Sequence, residues 1–227
     1  MTCPGELLKT SVGKKLVVAV TGLMMIGFIL GHLAGNLQIF MGQNQINSYA
    51  VKLQHLGPLL WVVRIILLGT VTAHGLASLL LAKENRAARP VSYVRENTVQ
   101  ATLASRTMVA SGLLLAAFII YHLLHFTLRI THPSFAHLTD SLGRHDTYSM
   151  MVLGFQNKWV SAFYVAAMGA LCFHLSHGAS SWAQTLGLTN EKCLACLKAA
   201  SQVFALIVFA GYVAIPVSVL FNVIKLP

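Results

Sequence analysis

The sequence predicts an all-α membrane protein: five transmembrane helices, the first four forming a bundle around buried histidines, with the N-terminus inside and the C-terminus outside. Three observations predict it. Of 227 residues, 56% are hydrophobic and only 10% charged, with a mean hydropathy of +0.69, whereas an ordinary soluble domain carries about 25% charged residues. The apolar residues gather into five runs, each about as long as the ~20 residues that cross ~30 Å of hydrocarbon at ~1.5 Å per residue. Four of those runs hold the histidines His32, His74, His122 and His174, one apiece and at depths that match in pairs.

Taken in order, the first run, Leu16–Phe40, carries His32 and a four-residue repeat of Gly27, Gly31 and Gly35. It is too long for the core of a cleavable signal peptide and leads straight into the rest of the bundle, so it is expected to remain as a helix. The second, Leu59–Ala82, carries His74 between Gly69 and Gly75, and the third, Thr107–Leu128, carries His122 and His125. The fourth, Trp159–Trp182, carries His174, His177 and Gly178. The fifth, Ala199–Val223, has no histidine and contains Pro216, which predicts a kinked helix packed outside the other four. Trp61, Trp159 and Trp182 at the run ends read as an interfacial belt.

The connections read as loops. Gly42–Pro58 and Ile130–Lys158 face outward, and the second, with His132, Pro133, His137, Asp140, His145 and Asp146, reads as a polar cap over the outer surface. Lys83–Arg106 and Gly187–Lys198 face inward. No low-complexity tract or linker divides the chain, so residues 1–227 are read as one domain.

Lysine and arginine set the orientation. With the N-terminus inside, Lys9, Lys14, Lys15, Lys83, Arg86, Arg89, Arg95, Arg106, Lys192 and Lys198 lie on the inner side, against Lys52, Arg64, Arg129, Arg144, Lys158 and Lys225 at the outer ends. That excess favours N-in, C-out. The inner charge concentrates in Lys9–Lys15 and Lys83–Arg106, where it suits an acidic partner or anionic lipid. The net charge of +10 therefore needs no nucleic acid.

The depth of each histidine follows from the rise per residue. His32 lies 17 residues beyond Lys15 and His122 lies 16 beyond Arg106, which places both roughly 24–26 Å from the inner ends of outward-running helices. His74 lies 9 residues before Lys83 and His174 lies 8 before Trp182, which places both roughly 12–15 Å from the inner boundary on returning helices. An ionisable ring at such depth costs free energy unless something binds it. Two facing imidazoles at one level can supply both axial nitrogens of a b-type haem, and levels roughly 10–14 Å apart make a route for electrons. The glycines beside them leave room for a flat macrocycle, a reading compatible with small-residue helix packing.

A lone intramembrane histidine can instead bond across helices or relay protons; agreement in depth across four helices argues against that. His125 and His177, three residues beyond His122 and His174, are alternative ligands or contacts to propionate or quinone. His55, His132, His137 and His145 read as solvated loop histidines.

The segments Ser11-Val-Gly-Lys-Lys, Thr21-Gly22, Gly31-His32-Leu33-Ala34-Gly35-Asn36-Leu37, Ala73-His74-Gly75, Tyr121-His122 and Phe173-His174-Leu175-Ser176-His177-Gly178 resemble the cytochrome b membrane anchor of succinate dehydrogenase/fumarate reductase, in its single-subunit, five-helix, two-haem form. The resemblance covers essentially the whole chain. It implies two haem b groups: a distal one held by His32 with His122 and a proximal one held by His74 with His174, with Gly31, Gly35, Gly75 and Gly178 beside them. It further implies a prokaryotic inner, cytoplasmic membrane, an iron–sulfur subunit and a flavoprotein subunit docked on the cytoplasmic face, possible further oligomerisation of the complex, and electron transfer to or from a quinone, menaquinone being the better match to the two-haem form. Dicarboxylate chemistry belongs to the partners, since the chain has no dinucleotide-binding glycine motif and no strand pattern.

The quinone site is less sharply drawn. Some family members have an acidic residue near the outer end of the second helix; here residues 42–64 contain no Asp or Glu. Gln38, Asn44, Gln54, His55 and Arg64 are the outer candidates, and Ser11, Lys14, His177 and Arg106 the inner ones. Arg106 and Lys83 near the inner boundary, and Arg129, Arg64 and Lys158 near the outer, are positioned to pair with propionates or to snorkel as interface anchors. Cys193 and Cys196 form a single CxxC, read as free thiols because a metal site would want a second pair. Two other classes stay open: the cytochrome b of another quinone-linked complex, such as a hydrogenase or formate dehydrogenase, and a haem-free proton-coupled transporter.

Overall fold

The computed structural model describes residues 10–88 and 102–227; Cys3, Lys9, Arg89 and Arg95 lie outside the described residues. Among the described residues the chain is helical with no strand, apart from one isolated bridge between Thr139 and His145. The helices are α1 (Ser11–Asn36), α2 (Gln43–Gln54), α3 (Pro58–Ala87), α4 (Met108–His122), α5 (Thr147–Gln156), α6 (Lys158–Thr185) and α7 (Glu191–Leu220), with one additional turn at Leu103–Arg106. Five stretches are long and apolar enough to cross a membrane: Ser11–Met41, Pro58–Ala87, Met108–Thr127, Lys158–Thr185 and Lys192–Leu220.

Local chemistry explains where the helices start and stop. Thr10 accepts from the Gly13 amide, Asn157 from Trp159 and Val160, and Asn190 from Cys193, each satisfying amides that a helix start leaves without partners. α1 tightens into a 3-10 turn, Leu37–Met41, and is stopped by Gly42 at φ 96. Gly57 at φ 52 then turns the chain and Pro58 opens α3 at a position where its missing N–H costs nothing. α3 extends to Ala87 and α6 to Thr185, beyond the expected Ala82 and Trp182.

Two segments expected as loops are partly helical. Residues 42–58 contain the twelve-residue α2, and residues 130–158 contain a 3-10 turn, Pro133–His137, and the ten-residue α5. Both are too short or too polar to span a bilayer, and they pack on each other across one end of the bundle, here called the cap end. Asn47, fully buried, joins them: its Nδ2 donates to Asp140 (3.1 Å) and Asp146 (3.0 Å), and its Oδ1 accepts from the Tyr148 amide. At the opposite end, buried Lys14 on α1 pairs with Glu84 on α3.

In the bundle, α7 lies along α6, α3 along α1, and α4 and α1 both against α6. The larger core cluster, with Ile39, Phe118, Val152, Phe155, Tyr164 and Ile215, sits beneath the cap; a smaller one of Leu175, Ala205 and Val208 lies deeper. Large apolar side chains such as Ile65 (66% exposed), Leu68 (67%) and Ile207 (64%) point outward, as a hydrocarbon surround requires and water would not reward. The last helix reaches further in than its lack of histidine predicts. Gly211 lets it approach Leu33 of α1, and the Tyr212 hydroxyl donates to the Ile29 carbonyl (2.8 Å).

Candidate functional site

Four helices each bring one imidazole inward, and the rings meet as two pairs. His32 of α1 and His122 at the end of α4 have ring centroids 5.8 Å apart with planes 86° apart. His74 of α3 and His174 of α6 have centroids 6.3 Å apart with planes 59° apart. A metal–imidazole nitrogen distance is about 2 Å, so two rings ligating one metal from opposite sides have centroids about 6 Å apart. Both pairs have that spacing.

The other ring nitrogen of three of these residues is met by a hydroxyl. Thr21 Oγ1 lies 3.1 Å from His74 Nδ1 and Ser111 Oγ lies 3.2 Å from His174 Nδ1. Each hydroxyl proton is already given to a carbonyl of its own helix, Val17 for Thr21 and Met108 for Ser111. The hydroxyl oxygens are therefore left to accept, which puts the ring proton on Nδ1 and the lone pair on Nε2. That is the tautomer a metal ligand needs, fixed by the neighbours as in known metal sites. At the other level the buried Tyr164 hydroxyl lies between His122 Nδ1 (3.3 Å) and His125 Nδ1 (3.0 Å). His32 is placed by packing instead, stacked on Phe28 (5.3 Å) and near Tyr212 (6.2 Å).

The glycines sort into three roles. A Cβ at Gly27, Gly31, Gly69, Gly75 or Gly178 would meet nothing within 4 Å, so the backbone beside His32, His74 and His174 borders open space. Gly35 differs: a Cβ there would lie 2.7 Å from the Tyr49 ring and hydroxyl. Its missing side chain serves the crossing of α2 over α1 rather than the histidine pair. Gly22 and Gly112 instead back the rings directly, with Cβ positions 3.5 Å from His74 Cε1 and 3.6 Å from His174 Cε1.

His125 is fully buried within the π-turn Leu123–Thr127 that widens the end of α4. Such turns insert a residue into the helix and often mark functional positions. His177 is half-buried one turn beyond His174. Arg106 and Lys83 are exposed near the end opposite the cap. The outer quinone candidates are not brought together: Gln38 bonds Gln45, Asn44 accepts from Arg144, and Arg64 lies 5.0 Å over the Trp61 ring, while Gln54 and His55 are exposed. Ser11 is exposed at the start of α1. A shallow groove of about 190 Å³ opens beside Ser111, lined by Leu103, Thr107, Ala170 and Phe173. Cys193 and Cys196 are exposed free thiols near the start of α7.

The cap is an electrostatic network of its own. The Arg144 guanidinium, bonded to Asp140 at 2.7 Å, holds that carboxyl far below the usual carboxylate range, and Asn47 and backbone amides add to it. Burial by itself would raise Asp146, but bonds from Ser149, Asn47 and Gln43 outweigh it and leave the group lowered. His145 is lowered by burial first and by the Arg129 charge second.

Sequence reasoning did not single out Ser111, Tyr164, Tyr212 or Gly112. Ser111, Tyr164 and Tyr212 were visible as polar groups inside apolar runs, which must turn inward to find partners. No family model, curated protein or solved structure matches this chain.

Proposed function

We propose that the chain is the haem b-containing membrane anchor of a succinate:quinone oxidoreductase, lying in the cytoplasmic membrane of a prokaryote with its N-terminus in the cytoplasm. It carries electrons between an iron–sulfur subunit, docked with a flavoprotein on the cytoplasmic face, and a quinone of the menaquinone type in the bilayer. The observation that carries this reading is the meeting of His32 with His122 and of His74 with His174, one ring from each of four apolar helices, at the separation that shared metal ligation requires. Among the described residues no group of three or more metal-ligating side chains stands together. A ring pair suits an iron whose other four positions come from a porphyrin.

In this reading His32 with His122 and His74 with His174 hold one haem b each. Such a group supplies reversible one-electron transfer at its iron, with a potential set by ligands, hydrogen bonds and burial. Thr21 and Ser111 hold the Nδ1 protons of His74 and His174, and Tyr164 does so for His122. The apolar helices exclude water from both levels. The open backbone at Gly27, Gly31, Gly75 and Gly178 gives the planar group room. The basic residues Lys83, Arg86 and Arg106 near the end opposite the cap suit an acidic partner surface.

The test is the spectrum of the full chain purified from haem-replete membranes. About two low-spin haems per chain, measured as the pyridine haemochrome against protein, is the expected result. A chain free of porphyrin would overturn the reading and favour a proton-coupled transporter.

A further inference from the structure

Three buried nitrogens near the cap have no hydrogen-bond partner among the described residues: Nε2 of His125, Nε of Arg129 and Nε2 of His145. A buried polar nitrogen without a partner is rare and costs stability, so three near the cap call for an explanation. The backbone brings them there. After the π-turn the amides of Ile130 (2.8 Å) and Thr131 (3.5 Å) both return to the Leu124 carbonyl, folding the chain back over its own last turn. Arg129 occupies the left-handed position of that turn at φ 56, a conformation where glycine is the usual choice. His132 is carried back over His125, their ring centroids 5.1 Å apart. From the other side, the Thr139–His145 bridge brings in His145, whose ring bonds the Leu138 backbone and so keeps Nε2 as an acceptor.

Among the described residues no carboxylate bonds these nitrogens. Asp146 lies nearby, but its oxygens accept from Gln43, Asn47 and Ser149. Hydrogen bonding also sets what His125 offers. If His122 gives its Nδ1 proton to Tyr164, as the haem reading requires, the Tyr164 proton goes to His125 Nδ1 and the His125 ring proton must sit on Nε2. The fully buried His125 then presents an N–H with nothing to receive it, within one turn of an Arg N–H in the same state.

We propose that Arg129 and His125 bind a carboxylate beneath the cap. The chemistry is that of two buried N–H donors, one permanently charged, on one folded-back turn where water is scarce, which selects an anionic oxygen pair over a neutral acceptor. The carboxylate has two sources: a propionate of the haem held between His32 and His122, or a free carboxylate from the cap-side solution. The His125 tautomer rests on the haem reading of that site; the unpartnered Arg129 nitrogen does not.

The test uses the full chain in detergent or nanodiscs, as wild type, Arg129→Gln and Arg129→Lys, with three probes: protohaem IX, its dimethyl ester and ¹³C-formate. Removing one charge-assisted hydrogen bond changes affinity by about tenfold or more. If the ligand is a propionate, Arg129→Gln weakens protohaem binding by that factor at the Soret band and leaves the dimethyl ester unaffected, with Arg129→Lys between. If the ligand is a free carboxylate, both haem forms bind all variants alike, and wild type shows a ¹³C-formate resonance shift that Arg129→Gln loses. Equal weakening of acid and ester, or no effect of either substitution on any probe, overturns the proposal. A wild-type chain that takes up no haem yet binds ¹³C-formate would refute the haem reading and leave the carboxylate site standing.

Discussion

The hydroxyl of Thr21 on α1 stands 3.1 Å from Nδ1 of His74 on α3 while giving its own proton to the Val17 carbonyl. One helix thereby fixes the ring tautomer on its neighbour. Thr21→Val keeps the shape and removes the acceptor. It is expected to weaken haem retention at the His74–His174 level by about ten- to a hundredfold, with Thr21→Ser restoring it, read from haem content during dilution. Ser111→Ala is expected to act on the same level through His174. Unchanged retention in both would show that the hydroxyls do not support the rings.

Tyr164 serves two rings with one hydroxyl. Tyr164→Phe preserves its edge contacts with Phe118 and Phe155, each at 5.0 Å, but strands both Nδ1 atoms in the core. The expected loss is about 1–2 kcal/mol of unfolding free energy, measured by reversible unfolding in mixed micelles, together with a changed low-spin signal from the His32–His122 level alone. A variant as stable as wild type would contradict the bridging role.

Gly35 and Gly31 lie one turn apart on α1 and predict opposite outcomes. Gly35→Ala drives a methyl into the Tyr49 ring and is expected to cost about 1–3 kcal/mol by overpacking, relieved by adding Tyr49→Ala. Gly31→Ala meets no atom within 4 Å and is expected to leave apoprotein stability unchanged or raise it by up to about 1 kcal/mol. Thermal unfolding of the single and double variants checks both.

The cap carboxylates give a pH dependence of definite sign. Asp140 and Asp146 are both lowered in the folded chain, so their stabilisation is complete above the ordinary carboxylate pKa of about 4 and is lost as pH falls further. Melting temperature is expected to be flat from neutrality to about pH 4 and to drop below it, with Asp146→Asn removing part of the drop. A decline beginning near pH 6 would point to histidines instead.

Much of this architecture was legible in the residues because a bilayer leaves few choices. Backbone groups in hydrocarbon must pair internally, so apolar runs of this length can only be helices, and five such helices are present. A fixed rise per residue placed His32 level with His122 and His74 level with His174, and those rings face each other. What stayed hidden depends on local tertiary geometry. α2 and α5 read as loops because their apolar runs are short and their stability comes from Asn47, Asp140 and Asp146 joining across about a hundred residues of sequence. The partners of Thr21, Ser111 and Tyr164 depend on helix rotation, which a run of apolar residues leaves open, and the outward-facing lipid surface gives little pattern to read it from. Gly35 looked like part of a glycine stripe until Tyr49 was placed over it.

If each ring pair holds one haem, the most direct measurement is haem stoichiometry and redox titration of the single variants His32→Ala, His74→Ala, His122→Ala and His174→Ala of the full chain. The account predicts that His74→Ala and His174→Ala lose the same haem and retain the other, while His32→Ala and His122→Ala show the complementary loss. Loss of different haems by His74→Ala and His174→Ala, or no loss from any of the four, would contradict it.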